Sequence, residues 1–200
     1  MDAHRRWSIE WRTQDGVLRA AEPTAAEVVT AAGPLAEFYN EPHNRQMMTN
    51  TVAMTADEVI AYYAGSDRQQ VRPFLLARDG VLVGDGDLRG IRDGTAETAI
   101  LIGDRRQQGR GLGTRFAIML HAFAFRVLCL DRVYAAIIPG NTGSRRLFEK
   151  LGHQIDVSVV GRTFAEEPSD VILSVDAEKF CELHRDFLGE IAFQPWEPVG

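Results

Sequence analysis

The chain has 200 residues, 45% hydrophobic and 25% charged, with a formal net charge of −6. That length suits one domain with a sizeable core, the composition excludes intrinsic disorder, and the acidic balance argues against nucleic acid as a partner. Cys129 and Cys181 stand far apart, with neither metal-ligand nor disulfide spacing, so reduced thiols, no metal and a cytoplasmic setting are expected.

At the N-terminus, MDAHRRWSIEWRT places no apolar run behind Arg5 and Arg6, unlike a signal peptide. Trp7–Trp11 and Val17–Ala21 read as short strands either side of Asp15-Gly16. Thr24 reads as the N-cap of a helix running to about Ala32, with Gly33-Pro34 as its stop. The stretch through Asn40-Glu41-Pro42-His43-Asn44 mixes helix and loop signals. Thr55 caps a second helix ending near Gly65, with Glu58 three residues on as its capping-box partner.

Pro73–Arg78, Val81–Leu88 and Thr95–Ile102 then read as strands, joined by Asp79-Gly80 and Asp93-Gly94, which are strong hairpin dipeptides. A helix is expected over about Leu112–Leu128. Its apolar stretch, Phe116 to Leu130, is broken by His121 and Arg126 and is too short for a bilayer, which needs about 20 apolar residues. Phe116, Leu120, Phe123 and Val127 recur at helical spacing as core, and His121 reads as a core histidine. Arg132–Ile138 reads as a strand, Asn141–Leu151 as a helix, and Ile155–Arg162 and Val171–Val175 as two further strands. Residues 177–200 read as a final helix, Ala177 to about Leu188, and a tail. The whole is expected to be one mixed α/β domain, residues 1–200, without a membrane segment.

Between a strand and a helix lies Asp104-Arg-Arg-Gln-Gln-Gly-Arg-Gly-Leu-Gly-Thr114. Alternate glycines let the backbone approach a ligand, and the amides opening the helix carry the positive end of its dipole. Arg105, Arg106, Arg110 and Arg115 surround them, a local basic excess in an acidic chain. This is a loop for a phosphate-bearing ligand. It lacks the Gly-Lys-Ser/Thr of a Walker loop, and Thr114 occupies the third-glycine position of a dinucleotide fingerprint.

Gln108-x-x-Gly111-x-Gly113 resembles motif A of the GNAT superfamily of acyl-CoA-dependent N-acyltransferases. Asn141, Ser144 and Leu147-Phe-Glu-Lys-Leu-Gly152-His153 resemble its motif B, in the same order and spacing. The resemblance spans Ala96 to His153, extends back to about Val17, and is nearest the branch with ribosomal-protein N-terminal, polyamine and nucleotide-sugar acetyltransferases. It implies a central mixed sheet of about seven strands flanked by helices and splayed between the fourth and fifth strands.

The resemblance also implies acetyl-CoA as co-substrate, a small-molecule or peptide amine as acceptor, and direct attack of that amine on the thioester. The backbone of Ile100, Leu101 and Ile102 is expected to pair with pantetheine, and Gly109, Arg110, Gly111, Leu112, Gly113 and Thr114 to hold the pyrophosphate with Gln108. Asn141 and Ser144 are expected near the thiol, and Arg146 near the cofactor. Glu97 is the expected base. Phe148 stands where many relatives carry a tyrosine that protonates the leaving thiolate, which makes Ser144 the expected acid. Phe148 also raises the alternative of an acyl-CoA-binding sensor or scaffold without turnover. Residues 177–200 are expected either to extend the sheet packing or to make a homodimer contact.

Overall fold

The computed structural model describes residues 5–48 and 52–196. The first four residues and the last four of the expected tail lie outside the described residues. Strands β1 (Arg6–Thr13) and β2 (Gly16–Ala21) form a hairpin, and helices α1 (Ala25–Asn40), α2 (Pro42–Met47) and α3 (Ala56–Gly65) follow. Next come β3 (Arg72–Arg78), β4 (Val81–Arg92) and β5 (Thr95–Ile102), a 3-10 turn over Arg105–Gln107, α4 (Leu112–Arg126), β6 (Arg132–Ile137) and α5 (Thr142–Lys150). The chain ends through β7 (Gln154–Ile155), α6 (Val159–Arg162), β8 (Val171–Asp176), α7 (Ala177–Leu183), α8 (Arg185–Leu188) and β9 (Ile191–Trp196).

Among the described residues one sheet contains all nine strands, in the order β7-β8-β6-β5-β4-β3-β2-β1-β9. The mixed α/β class holds, with two strands more than expected. One of them is β9, which pairs antiparallel with β1 from Arg6↔Trp196 to Trp11↔Ile191. Half of the expected tail is therefore a sheet edge, and the expected last helix breaks at His184 into α7 and α8.

Two other expectations are corrected. Helix α1 runs through Gly33-Pro34 to Asn40. Gly33, Pro34 and Thr30 all lie on its exposed face, so the hydrogen bond that Pro34 cannot make is left to solvent. Meanwhile Val28, Ala31, Ala32, Leu35 and Ala36 keep a continuous buried stripe. Of the expected strand Ile155–Arg162 only Ile155 is paired, within the two-residue β7 that it shares with Gln154. Asp156 accepts from the Ser158 amide and the Ser174 hydroxyl, and the Ser158 hydroxyl accepts from the Gly161 amide. Those side-chain bonds turn the chain into α6, and the β-branched run Val157, Val159, Val160 is left in solvent.

Helix α4 is the centre of the core, with Phe116, Met119, Leu120 and Phe123 fully buried. Gly86 of β4 lets it come close, since a Cβ there would lie 2.9 Å from Phe116 and 2.6 Å from the Ala99 carbonyl. His121 is a core residue as expected: Nδ1 donates to the Ala117 carbonyl (2.7 Å) and Nε2 lies 2.8 Å from His153 Nε2. Because a carbonyl only accepts, the neutral pair places its shared proton on His153. Burial lowers the pKa of His121 to about 4.

Candidate active site

Two neighbouring parallel strands part in the middle of the sheet. Strands β5 and β6 pair only at Thr95↔Arg132, Ala96↔Val133 and Glu97↔Tyr134. Beyond that point β5 continues on β4 alone as far as Gly84↔Ile102, and β6 continues on β8. The splay expected between the fourth and fifth strands therefore lies here, between β5 and β6. From Thr98 to Ile102 the β5 backbone has no strand on its β6 side, and Ile100, Leu101 and Ile102 belong to that open edge.

The glycine loop sits at the wide end of the split. Gly111 is the N-cap of α4 with φ +79, no side chain caps the helix, and the space a Cβ would enter there is empty. Gly109 is also left-handed, at φ +73 and with the same open space. The first-turn amides, at Leu112, Gly113 and Thr114, are therefore uncovered by any capping side chain. Gly113 is held close to Leu147 of α5 and Ile102 of β5, and the Leu112 side chain is buried in the core. Arg105, Arg106 and Arg115 pair with Glu41, Asp104 and Asp15. Arg110 and Arg146 are exposed and form no ion pair among the described residues.

Gln108 and Asn141 brace this region from within. Gln108 Nε2 donates to the Ile102 carbonyl (2.7 Å) and to Asn44 Oδ1 (2.9 Å), which pins the loop to the end of β5. Asn141 Oδ1 accepts from the Ser144 amide as the cap of α5, while Nδ2 donates to the Met47 carbonyl.

A cavity of about 330 Å³ opens from the split towards α1 and α3. Ala99, Ile100, Leu101, Ile137, Asn141 and Ser144 line one end of it. Met47, Met48 and Phe148 also line it, so both methionines belong to the pocket wall. On the sheet floor the pleat sends Asp85, Asp87 and Arg89 of β4 to the same side, and all three line the cavity.

Tyrosines from the two helices meet these acids. Tyr39 and Tyr63 donate to Asp85 Oδ2 at 2.6 and 3.0 Å, and Tyr62 donates to Asp87 Oδ2 at 2.6 Å. Asp85 and Asp87 are only 3% and 7% exposed. Burial raises the Asp85 pKa to about 6 against the lowering effect of its tyrosine bonds, and it raises that of Asp87 against Arg89. The same burial, with Asp85 beside them, pushes Tyr39 and Tyr63 well above the usual phenol range.

Glu97 lies opposite Arg89 and is 5% exposed. Its carboxylate receives the Arg89 guanidinium at 2.9 and 3.2 Å, and Arg89 also reaches Glu166 at 3.2 Å. Burial raises the Glu97 pKa and Arg89 opposes that rise. Glu97 does not line the cavity, whereas its ion-pair partner Arg89 does.

The split and the glycine loop are thus where the sequence put them. The tyrosine–aspartate floor was not singled out by sequence reading. Its trace was Gly84-Asp-Gly-Asp87, acids at alternate positions in a central strand, which places two charges on one face of a buried sheet.

A family model described as the acetyltransferase (GNAT) domain matches residues 17–154. The chain belongs to the GNAT acetyltransferase family. Among curated proteins it is 35% identical over 78 residues to the probable N-acetyltransferase YjcK of Bacillus subtilis (strain 168), covering 38% of this chain and 43% of that protein. The chain thus spans under half the length of the curated relative it matches. Among solved structures, Mycobacterium smegmatis RimJ in complex with CoA-disulfide superposes with a TM-score of 0.72 at 16% identity, covering 94% of this chain and 97% of that one. Aminoglycoside acetyltransferase AAC(6')-Ib in complex with coenzyme A gives 0.66 at 19% identity, over 82% and 96%. These structural likenesses concern the fold. Among the described residues no helix is long and apolar enough to cross a membrane.

Proposed function

We propose that this GNAT member transfers an acetyl group from acetyl-CoA to a primary amine by direct attack. The observation that carries this reading is the continuity of one cavity, from the unpaired β5 edge and Ser144 to two buried carboxylates. The solved relatives RimJ and AAC(6')-Ib were captured with CoA-disulfide and with coenzyme A. The glycine loop fits a pyrophosphate, with two left-handed glycines, open space above them and an uncapped helix start.

In this reading the amides from Gly109 to Thr114 hold the pyrophosphate and Arg110 and Arg146 add charge. The open edge of Ile100, Leu101 and Ile102 pairs with pantetheine, and Gln108 and Asn141 hold the walls in place. A donor aimed at the developing oxyanion contributes about 10²–10³ in rate.

The amine nitrogen forms a bond to the acetyl carbon, its proton leaves to a carboxylate, and the C–S bond breaks with its electron pair on sulfur. Asp85 is the base in this reading, because it lines the cavity and its raised pKa lies near neutral pH. Glu97, the acid expected from sequence to serve as base, acts here by fixing Arg89. Ser144, at the other end of the cavity, protonates the thiolate directly or through water, since Phe148 cannot. Among the described residues no cysteine lines the cavity to carry a covalent acetyl group.

Thiol release from acetyl-CoA over a panel of peptide N-termini, diamines, amino sugars and amino acids tests this reading. Turnover with at least one amine is expected. Tight acetyl-CoA binding without thiol release from any member would support the sensor alternative, which Phe148 favours.

A further inference from the structure

The cavity holds more negative charge than removal of one proton requires. Of its charged lining residues four are acids, Asp85, Asp87, Glu166 and Asp170, and one is a base, Arg89. Arg89 is already bound by Glu97 and Glu166. Three buried carboxylate oxygens, Asp85 Oδ1, Asp87 Oδ1 and Asp170 Oδ1, have no hydrogen-bond partner among the described residues. Their residues are each at least nine-tenths buried.

Buried carboxylates without donors are costly, and native proteins leave few of them. The second oxygen of each is satisfied: tyrosines bond Asp85 and Asp87, and the Glu166 and Glu167 amides bond Asp170 at 3.0 and 2.9 Å. The tyrosines donate from α1 and α3 and fix the carboxylates in orientation. What the three oxygens lack is a hydrogen-bond donor, and a cationic N–H is the donor that best suits a carboxylate. Asp85 and Asp87 are two residues apart on one strand, so their α-carbons are separated by about 7 Å along it. That spacing places two carboxyl groups side by side in one cavity.

We infer that the acceptor carries at least two cationic nitrogens, one reacting beside Asp85 while a second is held as ammonium by Asp87, with Asp170 as a further acceptor. This rests on the acetyl-transfer reading for the reacting nitrogen, but the recognition of the second is a property of the pocket alone. A monoamine of equal length leaves Asp87 unpaired, and a site built to bond a polar group discriminates strongly against the analogue that lacks it. Met47, Met48, Met54 and Val59 line the same cavity and suit the carbon chain between the two nitrogens.

The test compares 1,4-diaminobutane with n-butylamine, and 1,6-diaminohexane with n-hexylamine, on wild type and Asp87→Asn. Steady-state thiol release is measured alongside calorimetric binding to the protein with coenzyme A present. Wild type is expected to prefer the diamine of each pair by about 10–100-fold in kcat/KM and in Kd, the size of a hydrogen bond to a charged group. In Asp87→Asn that ratio is expected to shrink towards one, through a larger loss for the diamine than for the monoamine. Equal handling of diamine and monoamine by wild type, or a preference that survives Asp87→Asn, would overturn the inference. Tighter diamine binding with no thiol release would instead sustain the pocket and overturn the transfer reaction. Should Asp87→Asn fail to fold, Tyr62→Phe, which removes the O–H that orients Asp87, is expected to lower the ratio, and an unchanged ratio there would also overturn it.

Discussion

Asp85 is under two opposing demands. Burial holds its folded pKa at about 6, above the ordinary value of 3.8. Well below pH 3.8 the carboxyl is protonated in both folded and unfolded chains and costs nothing. As pH rises from about 4 to 6 the unfolded chain ionises first, so stability is lost, by up to about 3 kcal/mol for two pKa units. Asn at this position keeps the shape and an acceptor for Tyr39 and Tyr63 without the charge. Asp85→Asn is therefore expected to be more stable than wild type at pH 8 by about 1–3 kcal/mol, with the difference gone by about pH 3. Its kcat is expected to fall by about 10²–10⁴ at neutral pH if Asp85 takes the proton. Urea unfolding at both pH values, beside rates with the best amine, checks both halves. A less stable variant with wild-type kcat would contradict them.

At the scale of elements, the loop before α4 has the most direct test. Gly111 sits at φ +79 with nothing near its missing Cβ, so valine there meets no protein atom at that Cβ but must adopt a strained backbone and enter the open space proposed for the pyrophosphate. Gly111→Val is expected to abolish acetyl-CoA binding in calorimetry while circular dichroism remains that of a folded chain. A folded variant with wild-type affinity would remove the loop from the site. This loop was legible in sequence because its demands are local: glycines at fixed spacing, then an amphipathic helix. The N-cap at Thr24 and the capping box at Thr55 formed as read, for the same reason, and Glu27 completes a box at Thr24 as well. Elements decided by distant partners were not legible. Pro34 is tolerated because the sheet continues under the rest of α1. Residues 155–162 lose their strand because side-chain bonds at Asp156 and Ser158 turn the chain away from β8. The C-terminal segment gains a strand because β1 has a free edge to accept it.

Across the whole molecule, the candidate site follows from where a sheet comes apart. Strands β5 and β6 part after three residue pairs, which opens a passage through the layer that α4 and α5 flank on one side and the tyrosines of α1 and α3 on the other. The sequence made the first side readable, because its residues carry a motif. The second side depends on β4 placing Asp85 and Asp87 beneath tyrosines 22 to 46 residues away in the chain, and no local pattern announces such a meeting. The ion pair of Glu97 was equally hidden: only the three-dimensional register places Arg89 across from it. The central claim is that an acetyl group passes straight from sulfur to an amine in this passage. It is tested most directly by a single turnover with excess protein, acetyl-CoA and 1,4-diaminobutane, quenched and weighed by mass spectrometry. The account predicts one acetylated amine for each coenzyme A released and an unmodified protein at every time. A protein that gains the mass of an acetyl group before product appears, or acetyl-CoA that stays bound and intact, would contradict it.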